Sequence, residues 1–175
     1  FSEREHYWKP AMGNVDMDMD GVRPFNYSMT EIQAALGTEL LGRLDVLNAE
    51  RRSRANKFIR EMKDYPELVF QKTIDKNQNS YHLLPVRYNN KSNKNNDDLI
   101  HLLSTEYGIK AIVQYYPLNR YPLFEKMGFG EANCPNTDLF FDNMVSFPFH
   151  HWMSDDDFNY MIASTKSALT RLRSE

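Results

Sequence analysis

The chain has 175 residues, 41% hydrophobic and 13% aromatic, which is long and apolar enough for a globular domain with a core. A formal net charge of −3 with scattered Lys and Arg argues against binding to nucleic acid or to an anionic membrane surface. The single cysteine, Cys134, cannot form a disulfide within the chain, and neither a signal-peptide pattern nor a membrane-length apolar run occurs, so a cytoplasmic location is expected.

The sharpest pattern near the start of the chain is acidic. Asp16, Asp18, Asp20 and Gly21 match the opening of an EF-hand calcium loop. Tyr27 stands where that loop needs a bidentate Glu, and no amphipathic helix precedes the pattern. The residues therefore predict a solvated acidic loop rather than a calcium site.

Two long helices are predicted next, from about residue 29 to 42 and from about 44 to 63. Ser28 and Glu31 have the spacing of a capping box, which marks the start of the first helix. Gly37 lies inside the helical pattern, where it costs about 1 kcal/mol relative to Ala. A glycine there predicts another backbone packed close by, and a helix buried on more than one side. The apolar residues of its face recur at spacings of three and four: Met29, Ile32, Leu36, Leu40, Leu44 and Leu47.

The remainder alternates short strands and helices. Strands are predicted at 68–72, 81–88, 110–115 and 144–147, and helices at 97–107, 123–127, 136–143 and 154–171. Pro85 indicates a sheet edge or a bulge, and Gly108 a left-handed helix end. This order predicts an α+β fold, with a small mixed or antiparallel sheet, helices on one side, and the two long helices before it.

Local chemistry defines no site by itself. His150 and His151 have no partner at metal-ligand spacing, and His82 and His101 are not accompanied by a set of Cys or carboxylate residues. Nothing in the spacing pairs Cys134 with a histidine as a nucleophile. These residues predict structural or surface roles and no metal site.

One stretch resembles a family motif. Residues 26–37 read Asn-Tyr-Ser-Met-Thr-Glu-Ile-Gln-Ala-Ala-Leu-Gly. PLP-dependent nucleotide-sugar aminotransferases of the DegT/StrS type usually show the same string with Arg in place of Ser28. The resemblance covers nearly the whole chain, although residues 13–24 look like an insertion. Other family-like segments follow in family order: Tyr7-Trp8, Arg51-Arg52, Tyr81-His82, Tyr107-Gly108-Ile109, Tyr115-Tyr116-Pro117-Leu118, 145–150 and 153–157.

The resemblance implies the C-terminal part of a fold-type I PLP transferase. Residues 1–42 would be the end of the large domain with an interface helix, and residues 43–175 the small domain. The missing large domain carries the family's Schiff-base lysine, so this chain alone is expected to be inactive and not to bind PLP covalently. The implied whole enzyme is a homodimer that transfers an amino group, from glutamate, to a keto-sugar nucleotide in polysaccharide biosynthesis. The alternative is a non-catalytic interaction domain that keeps the fold.

The resemblance also implies site residues. Asn26 matches the family's Asn that reaches the PLP phosphate of the partner subunit, and an amide beside a helix N-terminus suits a phosphate. Ser28 stands where the family has an Arg that contacts the nucleotide-sugar. Gln114 and Tyr115 stand where the family has a substrate-contacting His-Tyr pair, and Asn119 replaces a second His. Compared with the family pattern, Tyr115 is kept, but the Arg and the two His residues are replaced by neutral side chains.

Two arginines flank these substituted positions. Arg23 precedes the first motif, and Arg120 follows the Tyr-Tyr-Pro-Leu segment. Because a diphosphate needs charge-assisted donors, either arginine could restore the lost charge at the substrate. The alternative is that both are solvated surface arginines.

Overall fold

The computed structural model describes residues 28–74, 77–89, 94–128 and 132–174. The chain divides into two compact units, Phe1–Leu41 and Gly42–Glu175. The acidic pattern at 16–21, Arg23 and Asn26 lie outside the described residues.

The two predicted long helices are one continuous helix, α1 (Glu31–Glu61). The prediction of a break was wrong because Gly42 only weakens a helix, and no proline occurs between Pro24 and Pro66 to end it. The capping box also differs from the predicted one. Thr30 and Gln33 form it, with Thr30 N donating to Gln33 Oε1 (2.9 Å) and Gln33 N donating to Thr30 Oγ1 (3.3 Å).

The first half of α1 is exposed, contrary to the predicted burial. Every residue from Ser28 to Val46 is exposed, and Ile32 retains 83% of its accessible surface. A Cβ added at Gly37 would meet nothing within 4 Å, so no other described backbone packs against this glycine. The second half packs into the core through Ala55 and Phe58, both fully buried.

The sheet has three antiparallel strands in the order β1 (Leu68–Phe70), β2 (Leu84–Tyr88) and β3 (Met144–Phe147). Register pairs Phe70 with Val86, and Val86 with Val145. The predicted strand at 110–115 is wrong: in the described residues only Ile112 pairs, forming an isolated bridge with Ser146. Residues 113–117 form no helix or strand.

Pro85 lies in the central strand, and its position explains why the strand tolerates it. Tyr88 N donates to Asn143 O on the β3 side, and backbone donors alternate direction along a strand. The nitrogen of Pro85 therefore faces the β1 side, where β1 has already ended at Phe70. The ladder loses no hydrogen bond at this proline.

Helices α2 (Asn96–Tyr107) and α5 (Asp155–Ser174) complete the core with the sheet and the second half of α1. Asn95 and Asp98 form a capping box on α2, and Asp157 N donates to Ser154 Oγ (3.0 Å) at the predicted start of α5. Two short helices, α3 (Pro122–Lys126) and α4 (Pro135–Phe141), lie between α2 and β3, and each begins at a proline. The α+β class with a small antiparallel sheet is thus confirmed. The buried side chains come from all of these larger elements: Ala55, Phe58, Met62, Leu68, Leu84, Val86, Leu99, Leu103, Val145, Phe147, Phe158, Met161 and Leu169.

Gly108 ends α2 in the left-handed region, with φ of 64°. Gly108→Ala is expected to lower the free energy of unfolding by about 1 kcal/mol, since a Cβ in this region is strained by roughly 1–2 kcal/mol. Gly37→Ala is the matched control, because neither added Cβ would meet an atom within 4 Å and Gly37 is helical. The control should gain about 0.5–1 kcal/mol. Urea denaturation of both variants measures the difference, and equal effects would contradict the assignment.

Candidate functional site

The residues assigned to substrate by resemblance fall in two parts of the chain. Ser28 precedes α1 in the first unit and is exposed. Gln114 is half-buried and Tyr115 is 65% exposed, in the irregular segment that follows the Ile112 bridge. Arg120 ends a 3₁₀ turn at Leu118–Arg120. The role of each at a substrate stays a prediction.

Arg120 contacts two carboxylates. Its Nη1 and Nη2 donate to Asp142 Oδ1 (2.7 Å) and Oδ2 (3.2 Å), a bidentate pair. Nη2 also forms an ion pair with Asp138 Oδ1 at 2.6 Å. The guanidinium carbon lies 5.4 Å from the centre of the Phe141 ring. One positive charge is therefore held between two negative charges on an aromatic face.

Aromatic rings connect this ion cluster to the segment that carries Tyr115. Tyr116 packs edge-on against Tyr121 (5.1 Å between ring centres) and against Phe141 (5.2 Å). Tyr121 in turn meets the ring of Phe124 edge-on at 6.3 Å. We name this set the Arg120 cluster, which comprises Tyr116, Arg120, Tyr121, Asp138, Phe141 and Asp142.

The two carboxylates were missed by the sequence interpretation, although a signal was present. Asp138 and Asp142 are four residues apart, the spacing that places side chains on one face of a helix. Both fall in the predicted helix at 136–143, so they could have been recognised as a paired anionic face. What the sequence could not supply is the arginine that meets them.

The pKa of the Asp142 carboxyl is held below its ordinary value of 3.8, chiefly by the hydrogen bond from Arg120. A carboxyl whose pKa is lower in the folded than in the unfolded state stabilises the fold above its unfolded pKa. This contribution is expected to be complete above pH 3.8 and to be lost as pH falls below it. An NMR titration of the Asp142 carboxyl should show the depressed midpoint, and Arg120→Gln should return it towards 3.8. A midpoint unchanged by that substitution would contradict the pairing.

An open cavity of about 480 Å³ lies beside the 3₁₀ turn. Its lining is mostly apolar and, among the described residues, carries no cation that would suit a phosphate. Asn119 Nδ2 donates to Ala132 O (3.4 Å) near this cavity. The lining residues are Leu118, Asn119, Phe124, Ala132, Cys134 and Thr137.

No group of three or more His, Cys, Asp or Glu residues in the described ranges could hold a metal ion. His150 stacks on Trp152 (4.9 Å between ring centres) and His151 meets the same ring edge-on (4.4 Å). Within the described ranges, no helix is both long enough and apolar enough to cross a membrane.

The fold is shared with solved sugar aminotransferases of fold type I. The Helicobacter pylori aminotransferase PseC, of pseudoaminic acid biosynthesis, superposes with a TM-score of 0.72 at 25% identity, covering 86% of this chain and 40% of its own. The PLP form of the putative sugar aminotransferase Spr1654 from Streptococcus pneumoniae gives a TM-score of 0.69 at 26% identity, covering 82% and 36%.

The model of the DegT/DnrJ/EryC1/StrS aminotransferase family matches residues 4–166, and the chain belongs to that family. The spore coat polysaccharide biosynthesis protein SpsC of Bacillus subtilis (strain 168) is 28% identical over 144 residues, which cover 81% of this chain and 37% of SpsC. A UDP-4-amino-4,6-dideoxy-N-acetyl-beta-L-altrosamine transaminase of Campylobacter jejuni is 26% identical, covering 85% and 39%. The match spans well under half of each relative, and the resemblance found in the sequence is confirmed.

Proposed function

We propose that this chain is the C-terminal part of a PLP-dependent enzyme that transfers an amino group, from glutamate, to a keto-sugar carried on a nucleotide. The observation that supports the proposal is the family match across residues 4–166. Relatives named as transaminases of amino-sugar nucleotides support the substrate class. Polysaccharide biosynthesis is the setting that SpsC's name suggests for this chain.

The proposed cofactor is PLP, which supplies an electron sink for the amino-group transfer when bound. The described residues fit only its periphery. The N-terminus of α1 offers backbone N–H groups of the kind that suits a phosphate, although the Gln33 N–H already donates to Thr30 Oγ1 (3.3 Å). Asn26, which lies outside the described residues, is proposed to contact that phosphate, and Arg23 to contact the substrate's diphosphate. No lysine of this chain lies in a context like the family's Schiff-base motif.

Gln114 and Tyr115 are proposed to contact the sugar-nucleotide with Ser28. All three side chains are neutral, so they would orient the sugar by hydrogen bonds and leave charge neutralisation to other groups. If Arg23 supplies that charge, Arg23→Ala in the full-length protein should raise the KM for the sugar-nucleotide with little change in kcat, as loss of uniform binding does. An unchanged KM would point to a substrate that lacks the diphosphate.

We further propose that residues 1–42 end the large domain and carry an interface helix, with residues 43–175 as the small domain. The exposed apolar face of α1, including Ile32, Leu36 and Leu40, supports this assignment. A surface of this kind is normally covered, here by the large domain and a second subunit of a homodimer. The chain by itself should therefore self-associate.

Light scattering over a range of concentrations tests the association. Ile32→Lys should reduce it strongly, because Ile32 is apolar and 83% exposed. Thr38→Lys places the same charge at an exposed polar position of the same helix and is the control, expected to change little. A concentration-independent monomer for the unsubstituted chain would count against this surface.

The catalytic proposal is tested by comparing the full-length protein with the 175-residue chain. The full-length protein should aminate members of a panel of keto-sugar nucleotides with glutamate as donor. The chain alone should show neither transamination nor labelling of one lysine after borohydride reduction with PLP. Stoichiometric labelling at a single lysine together with activity would overturn the assignment.

The second candidate is a non-catalytic interaction domain that keeps the fold. It is favoured by Ser28 and Gln114, which stand where the family has an Arg and a His. The coding region upstream of Phe1 discriminates the two. A frame of domain size with a candidate Schiff-base lysine supports the enzyme, and a start codon immediately before the Phe1 codon supports the interaction domain.

A further inference from the structure

We infer that Arg120 is a positioning residue, which holds the Tyr115 segment against α4 through Asp142, rather than a ligand of the substrate phosphates. The sequence alone leaves two alternatives for Arg120, a replacement for the lost cations or a solvated surface arginine. The inference rests on the proposed function for its kinetic consequence, but its structural content concerns only contacts within the second unit.

Charge is the first argument. Asp138 and Asp142 bring two negative charges to the single positive charge of Arg120. A diphosphate approaching the guanidinium would meet both carboxylates and would have to displace a bidentate hydrogen-bonded pair. The negative charges of the two carboxylates would repel a diphosphate bound at the guanidinium, so the cluster is poorly suited to bind an anion.

Attachment is the second argument. The 3₁₀ turn closes with Arg120 N donating to Pro117 O (3.0 Å) and Tyr121 N donating to Leu118 O (3.2 Å). From the end of this turn the guanidinium reaches Asp138, Phe141 and Asp142, which lie on or directly after α4. One side chain therefore links the turn to the helix by ion pair, hydrogen bonds and ring contact.

The link continues to the proposed substrate residue. Tyr116 packs against Phe141, the same ring that lies under the guanidinium, and against Tyr121. Tyr115 precedes Tyr116 and is 65% exposed, so packing of its own side chain does little to fix it. The direction of Tyr115 is consequently set by the backbone that the Arg120 cluster holds.

A positioning role and a ligand role make opposite predictions for Asp142. If Arg120 acts through Asp142, Asp142→Asn must cause the same defect as Arg120→Gln, and the double variant must be no worse than the stronger single one. If Arg120 binds phosphate directly, Asp142→Asn removes one of the two carboxylates that compete for the guanidinium and leaves only Asp138, so binding should be unchanged or tighter.

The kinetic experiment uses the full-length protein with its keto-sugar nucleotide and its amino donor. Each single variant is expected to raise the KM for the sugar-nucleotide on the order of 10-fold, within the range of coupling between contacting residues, while the KM for the amino donor stays within about twofold. Lys166→Gln, which breaks the exposed Lys166–Glu61 ion pair (2.5 Å), is the control and should change neither value. A KM raised by Arg120→Gln alone, or additive effects in the double variant, would overturn the inference.

Hydrogen exchange provides a readout that does not require activity. Both Arg120→Gln and Asp142→Asn should speed exchange of the Arg120 and Tyr121 amides at least several-fold, while the β2 and β3 amides keep their protection. Arg120→Lys keeps the charge but loses the bidentate pair, so its amide exchange rates should lie between those of the unsubstituted protein and of Arg120→Gln. It replaces Arg120→Gln in the experiment if that variant does not fold. If the full-length protein has no transaminase activity, the proposed function fails. Hydrogen exchange would still show whether Arg120 holds the Tyr115 segment in place. Unchanged protection in every variant would overturn the positioning role.

Discussion

Phe58→Ala is expected to lower the free energy of unfolding by about 3–5 kcal/mol, the cost typical of removing a buried aromatic ring. Phe58 is fully buried on α1, and its ring lies 4.9 Å from that of Phe147 and 6.1 Å from that of Phe70. The substitution therefore removes the contact of the long helix with two different strands at once and leaves a cavity between them. Urea denaturation of the 175-residue chain measures the loss.

Trp152→Ala is the control for that measurement. It removes a larger aromatic side chain, but Trp152 is 71% exposed and contacts only the imidazoles of His150 and His151 among the ring pairs of the described residues. A cost of at most about 1 kcal/mol is expected, as for aromatic contacts at a surface. Equal losses in the two variants would mean that Phe58 does not anchor the core.

The helical half of the fold was predictable because apolar periodicity and caps are local. Gly108 and the Ser154 cap of α5 were located correctly for this reason. The capping of α1 was not, because Ser28 with Glu31 and Thr30 with Gln33 have the same spacing and overlap. Periodicity also shows that α1 has an apolar face without showing what covers it in the whole protein.

The strands were harder because pairing is not local. Residues 110–115 have the composition of a strand, yet only Ile112 finds a partner, at Ser146. Pro85 was expected at an edge or a bulge and lies in the central strand, where β1 ends too early for a hydrogen bond from this position to be needed. Both outcomes depend on how far a neighbouring strand extends, and this cannot be predicted from the local sequence of either segment.

The candidate site shows the limit of a motif. The family resemblance located Gln114, Tyr115 and Arg120 by their neighbours in sequence. Asp138 and Asp142, which determine the electrostatic surroundings of Arg120, lie in and directly after a helix that follows later in the chain. In the sequence, an arginine beside a substrate motif suggests a phosphate ligand. In the folded chain, the guanidinium of Arg120 instead pairs with the carboxylates of Asp138 and Asp142.

Arg173→Met is expected to cost about 1–3 kcal/mol of unfolding free energy, because it leaves a mostly buried carboxylate without its cation. Arg173 Nε and Nη2 donate to Glu67 Oε1 (2.8 Å) and Oε2 (2.7 Å), and Nη2 also donates to Asp64 O (2.9 Å). Glu67 is only 8% exposed, while the Arg173 side chain is 42% exposed. Solvent screening at the arginine keeps the expected cost below the 3–5 kcal/mol of fully buried pairs.

The physical reason can be separated from a simple loss of contact by changing the partner. In the Arg173→Met background, Glu67→Gln should recover part of the lost stability, since a neutral amide is cheaper to bury unpaired than a carboxylate. Lys166→Gln breaks a more exposed pair on the same helix and should cost at most about 1 kcal/mol. If Glu67→Gln only adds to the loss, the packing of Arg173 over the Tyr65 ring, at 4.6 Å, would be the larger contribution. Recovery would show that the unpaired carboxylate of Glu67 accounts for the loss of stability in Arg173→Met.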